Sequence, residues 1–300
     1  MRLSLAPIPY YWDGDRVRAF YAEVADLPVD VVYLGETVCG KRRALSPEDW
    51  LALADDLAAA GKEVVLSTLW LLEAESELGV LRRVAANGRY PVEANDVAVF
   101  QAEGSTPRVI GPHVNVYNPH TLACLAQAGA RRWVVPPELD GGTLAEILAQ
   151  RPPGMEVEVL VFGRLPLAVS ARCFLARAEG RNKDDCGFAC LDHPGGCLLR
   201  TQAGEPFLTV NGVQLLSAET AVLVPVVEEL RALGVDLLRV VPEPAGTAQV
   251  VAVLRRLLDG ELAPEAALAA LAPHLPQGRC EGYWYGRAGR ARSVAPPSRR

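Results

Sequence analysis

Val29-Asp30-Val31-Val32-Tyr33-Leu34-Gly35, then Ser46-Pro47-Glu48-Asp49, then Gly61-Lys62-Glu63-Val64-Val65-Leu66-Ser67-Thr68-Leu69 are the pieces of sequence on which the fold turns. The apolar, β-branched runs at either end are continuous rather than alternating, which is the pattern of strands buried on both faces of a parallel sheet. Between them Ser46 reads as a helix cap, Pro47 as the first helical residue and Glu48 and Asp49 as first-turn acids. Gly61 stops that helix. Strand, helix and strand in this order make a parallel βαβ unit.

The same alternation extends in both directions. Further strand candidates are Arg2 to Ile8, Pro91 to Asn95, Val109 to Val116, Arg132 to Val135, Val157 to Gly163 and Val235 to Val241. Helical patterns run over Thr143 to Ala149, over Val222 to Leu233 before Gly234, and over Ala248 to Asp259 before Gly260. Eight strands with helices between most of them predict an α/β fold of the (β/α)8 TIM-barrel-like kind. A doubly wound sheet is the alternative, but no Gly-rich phosphate loop follows the first strand. Leu198 to Ser217 reads as an inserted β-rich segment, with turns at Ala203-Gly204-Glu205-Pro206 and at Asn211-Gly212.

Half of the 300 residues are apolar, ample for one large core, and the formal charge is −6. An acidic chain without a basic stripe argues against a nucleic-acid binder. The expected organisation is one barrel-like domain over residues 1–286 and a disordered tail over 287–300, rich in Arg, Pro, Ser and Gly. The opening Met-Arg-Leu-Ser-Leu-Ala-Pro-Ile-Pro is too short and too interrupted for a signal peptide or membrane span, so a cytoplasmic location is expected.

Seven cysteines in a reducing compartment are not a disulfide framework. Cys173, Cys186 and Cys190 share one short window, and Cys39 lies four residues past the second strand. On a barrel, all four fall on the rim where strands end and βα-loops begin, which is where active sites form. Four soft thiolates suit a 4Fe–4S cluster. Arg172, Arg177 and Arg181 are the expected source of positive charge around them. Zinc competes for the same thiolates, although paired Cys-x-x-Cys knuckles are absent. Ordinary core packing is the third reading, and it is unattractive for Cys186 and Cys190 in a polar loop. Cys124, in a helix-like run, reads as core and Cys280 as structural. Cys197 lies close enough to replace one of the four.

Two blocks carry a family resemblance: Tyr33-Leu34-Gly35-Glu36-Thr37-Val38-Cys39-x-Lys41-Arg42-Arg43 and Ala171-Arg172-Cys173-Phe174-x-Ala176-Arg177. Asn211-Gly212-Val213-Gln214-x-Leu216-Ser217 and Gly282-Tyr283-Trp284 fit the same group. With them the chain resembles the collagenase-like peptidase family U32, and within it the branch serving ubiquinone biosynthesis. The general pattern of the family has Glu-x-Phe-x-x-Gly followed by two cysteines seven positions apart. Here Glu158 and Gly163 match, Pro166 replaces the first cysteine, Cys173 matches the second, and Cys39 supplies the missing ligand as in that branch. The resemblance implies a 4Fe–4S cluster on Cys39, Cys173, Cys186 and Cys190. It also implies a heterodimer with a UbiU-type paralogue and oxygen-independent hydroxylation of ubiquinone-precursor rings, with prephenate as oxygen donor.

Strand-end polar residues are the candidates for a substrate pocket: Glu36, Asn95, Asp96, His113, Asn115 and Arg164, with Glu36 and His113 ranked first as catalytic. Glu36 has the plainer reading of an arginine partner. His113 and Asn115 would alternate on one strand and share a face. Other functions weighed are an RNA-base hydroxylase, which the acidic charge disfavours, and a peptidase, for which neither a nucleophile elbow nor a His-Glu-x-x-His motif is present. A metal-stabilised, non-catalytic partner subunit is the last.

Overall fold

The computed structural model describes residues 1–291. The chain runs β1 (Arg2–Leu5), α1 (Gly14–Asp26), β2 (Val31–Leu34), α2 (Pro47–Ala59), β3 (Glu63–Ser67), α3 (Glu75–Ala85), β4 (Val92–Ala94), β5 (Arg108–Ile110), α4 (Pro119–Gln127), β6 (Ala130–Val134), α5 (Gly141–Leu148) and β7 (Glu156–Val169). It continues through α6 (Phe174–Ala178), β8 (Cys197–Arg200), β9 (Pro206–Asn211), β10 (Gln214–Val222), α7 (Val227–Ala232), β11 (Leu237–Val240), α8 (Thr247–Leu258), α9 (Pro264–Leu271) and β12 (Arg279–Cys280). Strands β1 to β7 pair in sequence order and in parallel, and β11 closes the ring by pairing with both β7 and β1. The fold is a closed eight-stranded (β/α) barrel.

Local chemistry explains the frame. Ser46 caps α2 by accepting from the Asp49 N–H while Asp49 binds back to the Ser46 N–H, a reciprocal box of about 1 kcal/mol. The strands bury one face against the helices, where Leu3, Leu5, Val32 and Leu34 meet Val17, Tyr21 and Leu57 in the main core. Their other face fills the barrel with Val31, Val65, Val109, Val134, Leu237 and Tyr33.

Three expectations change. Val109 to Val116 is not one strand: β5 ends at Ile110, and Pro112 opens a 3-10 turn over Pro112–Val114. His113 and Asn115 therefore share no strand face, and Asn115 is left-handed. The β4–β5 connection holds a 3-10 turn, Val97–Gln101. The helical pattern expected from Val222 begins at Val227, because Gln214–Val222 is a strand and Pro225 sits in a 3-10 turn before the helix. The seventh strand runs on to Val169, and its outer half carries the insertion: β10 pairs antiparallel with it, followed outward by β9 and β8. The insertion spans β8 to β10 and turns at both expected places.

Of the tail read as disordered, Arg287 to Ala291 are described. Arg290 donates to Glu219 Oε1 at 3.0 Å, and Ala291 accepts from the Glu281 N–H. Residues 292–300 lie outside the described residues.

Candidate functional site

The loop after β2 is built for close approach. Gly35, at φ +132, lies where an added Cβ would stand 2.6 Å from the Ser67 carbonyl, so a side chain there is doubly disfavoured. Glu36 follows and organises the turn: its Oε1 accepts from the Val38 N–H at 2.8 Å and the Cys39 N–H at 3.0 Å. The same oxygen is 3.8 Å from Arg42. Burial raises the Glu36 pKa, and Arg42 with the two N–H groups opposes the rise. The plainer reading of Glu36 is visible, since it stands beside an arginine, and the residue also shapes the loop that carries Cys39.

The long segment after β7 brings the other cysteines. Cys173 caps α6, its Sγ accepting from the Ala176 N–H at 3.4 Å. Gly187 and Phe188 are consecutive left-handed residues between Cys186 and Cys190. Left-handed backbone is costly for a bulky phenylalanine and reverses the chain sharply. The Phe188 ring lies on Tyr11 at 5.6 Å. Cys190 departs from expectation: it is buried in an apolar cluster with Tyr11, Leu175, Ala189 and Val210, against which Cys173 and Cys197 also pack.

The four thiols share one electrostatic neighbourhood. Cys190 feels the charges of Cys173 and Cys39, and Lys41 and Lys183 each feel Cys39 and Cys186. Burial pushes the Cys39 and Cys190 thiols up, while Arg42 beside both pulls them down. Ion pairs tie the segment to the neighbouring loops: Lys41 to Asp184 at 2.6 Å, and Lys183 to Glu73 beyond β3. Arg42 is almost wholly buried and donates to the Pro9 carbonyl at 2.9 Å and to Asn211 Oδ1 at 2.8 Å.

The positive charge around the thiols therefore comes chiefly from Lys41, Arg42 and Lys183. Of the arginines expected to supply it, Arg172 and Arg177 are exposed and only Arg181 reaches the loop, at the Cys186 carbonyl. The missed cations all lie within three residues of a cysteine, a signal the sequence did contain. Cys124 is exposed on α4, not core, whereas Cys280 is fully buried.

Among the described residues, no three His, Cys, Asp or Glu side chains converge closely enough to enclose a single metal ion. In donor chemistry, Cys39, Cys173, Cys186 and Cys190 fit a cofactor that takes one soft thiolate at each of four corners, and the flanking cations suit its negative charge.

Facing this rim is a second group. His113 stands edge-on to Trp70 with ring centroids 3.7 Å apart, and the Trp70 backbone N–H donates to the Thr37 carbonyl at 3.1 Å. Burial, then Arg239, lowers the His113 pKa to about 3, so its imidazole is neutral. Asn95 is buried and donates to the Thr68 carbonyl at 3.0 Å. Asp96 caps the following turn, and Asn115 is exposed beside Tyr117. Arg164 donates to Tyr10 at 3.3 Å and to the Gly195 carbonyl at 2.7 Å.

Beneath the mouth the barrel interior is charged. Arg239 bridges Glu93 at 2.8 Å and Glu158 at 2.9 Å, and both carboxylates are fully buried. Ser67 donates to Glu93, and Ser4 and Tyr33 donate to Glu158.

Known structures resemble the chain at low identity. The U32 peptidase Mk0906 is 14% identical, with 82% of this chain and 94% of that one covered at a TM-score of 0.46. Plasmodium falciparum HPPK-DHPS A437G is 11% identical, with 91% and 49% covered at a TM-score of 0.41. An uncharacterized B. cereus protein is 11% identical, with 83% and 63% covered at a TM-score of 0.37. Among the described residues no helix is long and apolar enough to cross a membrane. The sequence matches Peptidase family U32 over residues 13–292, nearly the whole chain, and the protein belongs to that family.

Proposed function

We propose that the protein is the UbiV-like iron–sulfur subunit of an oxygen-independent hydroxylase acting on ubiquinone-precursor rings in the cytoplasm. It would work as a heterodimer with a UbiU-type paralogue. The observation that supports this reading most is that Cys190 lies within electrostatic reach of both Cys173 and Cys39, whose loops are more than a hundred residues apart in sequence, while Cys186 shares Lys41 and Lys183 with Cys39. Those four cysteines would hold a 4Fe–4S cluster, and the cluster would supply one-electron transfer at the mouth of the barrel.

Replacing a ring C–H by C–OH oxidises the ring by two electrons. A donor alcohol that gives up its hydroxyl and gains a hydrogen is reduced by the same two, so ring-H plus donor-OH becomes ring-OH plus donor-H. Prephenate, with its hydroxyl, fits the donor role. His113 is too weak a base to hold a ring proton near neutral pH, since an efficient general base titrates near the working pH. As a neutral imidazole edge-on to Trp70, it can hydrogen-bond a ring hydroxyl and orient it. Glu36 acts through the Cys39 loop it holds.

Anaerobic purification with iron, sulfide and zinc analysis tests the reading. A broad absorbance near ~400 nm with about four irons and four sulfides per chain supports it, provided that Cys39→Ser, Cys173→Ser, Cys186→Ser and Cys190→Ser each abolish the colour. A colourless protein with one zinc removes the redox role.

A further inference from the structure

We propose that Arg42 sets the reduction potential of the cluster, a role that rests on the iron–sulfur reading above. Its side chain is 2% exposed and reaches five partners from different parts of the chain. One arm donates to Pro9 and the other to Asn211, while the guanidinium lies near Glu36 and over the Tyr11 ring at 5.7 Å, the ring that packs against Cys190, whose thiol Arg42 pulls down. The fit is close enough to constrain the partner turn: a Cβ on Gly212, at φ +67, would stand 3.0 Å from the guanidinium.

A guanidinium keeps its proton in any protein environment, so this is a permanent buried cation. Pro9 and Asn211 offer it neutral oxygens, and its one carboxylate neighbour, Glu36, stands 3.8 Å away and shares its oxygen with two backbone N–H groups. The guanidinium charge therefore also acts on the cysteine sulfurs around it. Four thiolates leave a cluster net negative, and reduction adds one more charge. A fixed cation at a ligand sulfur stabilises the reduced form more than the oxidised form and raises the potential. The rigid fork keeps the cation at that distance, which a flexible lysine would not.

Arg42 also ties three loops together, so the test reads a quantity that a purely structural role leaves alone. Wild-type, Arg42→Gln and Arg42→Lys proteins, purified without oxygen, are titrated with dithionite and the midpoint is followed by EPR. Iron and sulfide content is measured on the same samples. Arg42→Gln, with iron retained, is expected to have a clearly more negative midpoint, and Arg42→Lys to fall between it and wild type. A wild-type midpoint in Arg42→Gln at full iron content overturns the proposal. Reduced wild-type protein carrying 15N-arginine gives a second readout that needs no variant. A nitrogen coupling on the cluster is expected, and its absence overturns the proposal even where Arg42→Gln loses its iron. A wild-type protein without iron overturns the underlying reading itself, before any variant is made.

Discussion

Single residues here do different work from what their types suggest. His113 is a half-buried neutral ring, not a titrating base. Its folded pKa of about 3 lies below the unfolded value near 6.5. The unfolded chain therefore binds the extra proton between those values, and stability falls as pH drops through that window. His113→Phe, which keeps an aromatic edge on Trp70, should flatten that decline. Thermal melts at stepped pH compare the two, and equal acid sensitivity would refute the assignment. The cysteines separate just as clearly. Exposed Cys124→Ser should leave stability within about 0.5 kcal/mol and the cofactor content unchanged. Cys280→Ser places a hydroxyl in a fully buried apolar site and should cost about 1–3 kcal/mol without loss of iron.

At the scale of elements, the segment after β7 is pinned to the β2 and β3 loops by Lys41–Asp184 and Lys183–Glu73. The first pair is exposed and worth little, since such pairs contribute about 0–1 kcal/mol. The second is more enclosed. Lys183→Ala should therefore loosen residues 181–192 locally, seen as faster amide exchange there with the barrel strands unchanged. Added salt should loosen the same segment in the wild type, because it screens exposed pairs. Unchanged exchange in the segment would show that Phe188 and Cys190 anchor it without the ion pairs. The strand pattern was legible in the β-branched runs, and the hairpin turns in Asn211-Gly212 and Gly204. The length of β7 was not, because its outer half is held by β10 rather than by a hydrophobic pattern of its own.

The whole molecule is closed around a charged centre. Arg239 from β11 meets Glu93 from β4 across the barrel and Glu158 from β7 beside it. Removing one member of a buried ionic group leaves uncompensated charge, at a cost of about 3–5 kcal/mol. Arg239→Met should fall in that range by urea unfolding. Adding Glu93→Gln and Glu158→Gln to it should restore part of the loss, and simple additivity of the three changes would sink this account. The network joins Tyr33 to Arg132, and Arg132 to Glu63 and Glu156 at the other end of the barrel. The floor under the mouth is thus a continuous polar column, stiffened by closure.

Residues 29–69, read alone, determine a parallel βαβ unit, because strand burial and helix capping are local patterns with their own periods. Repeating that pattern along the chain determines the barrel, and the barrel puts loop-borne cysteines on one rim. Tertiary structure alone decided that Cys190 is buried, that His113 is neutral against Trp70, and that Arg42 reaches Pro9, Asn211, Glu36 and Cys190 at once. Those facts depend on which loops meet when the ring of strands closes. Closure joins β1 to β11, about 235 residues apart, and no local pattern records that.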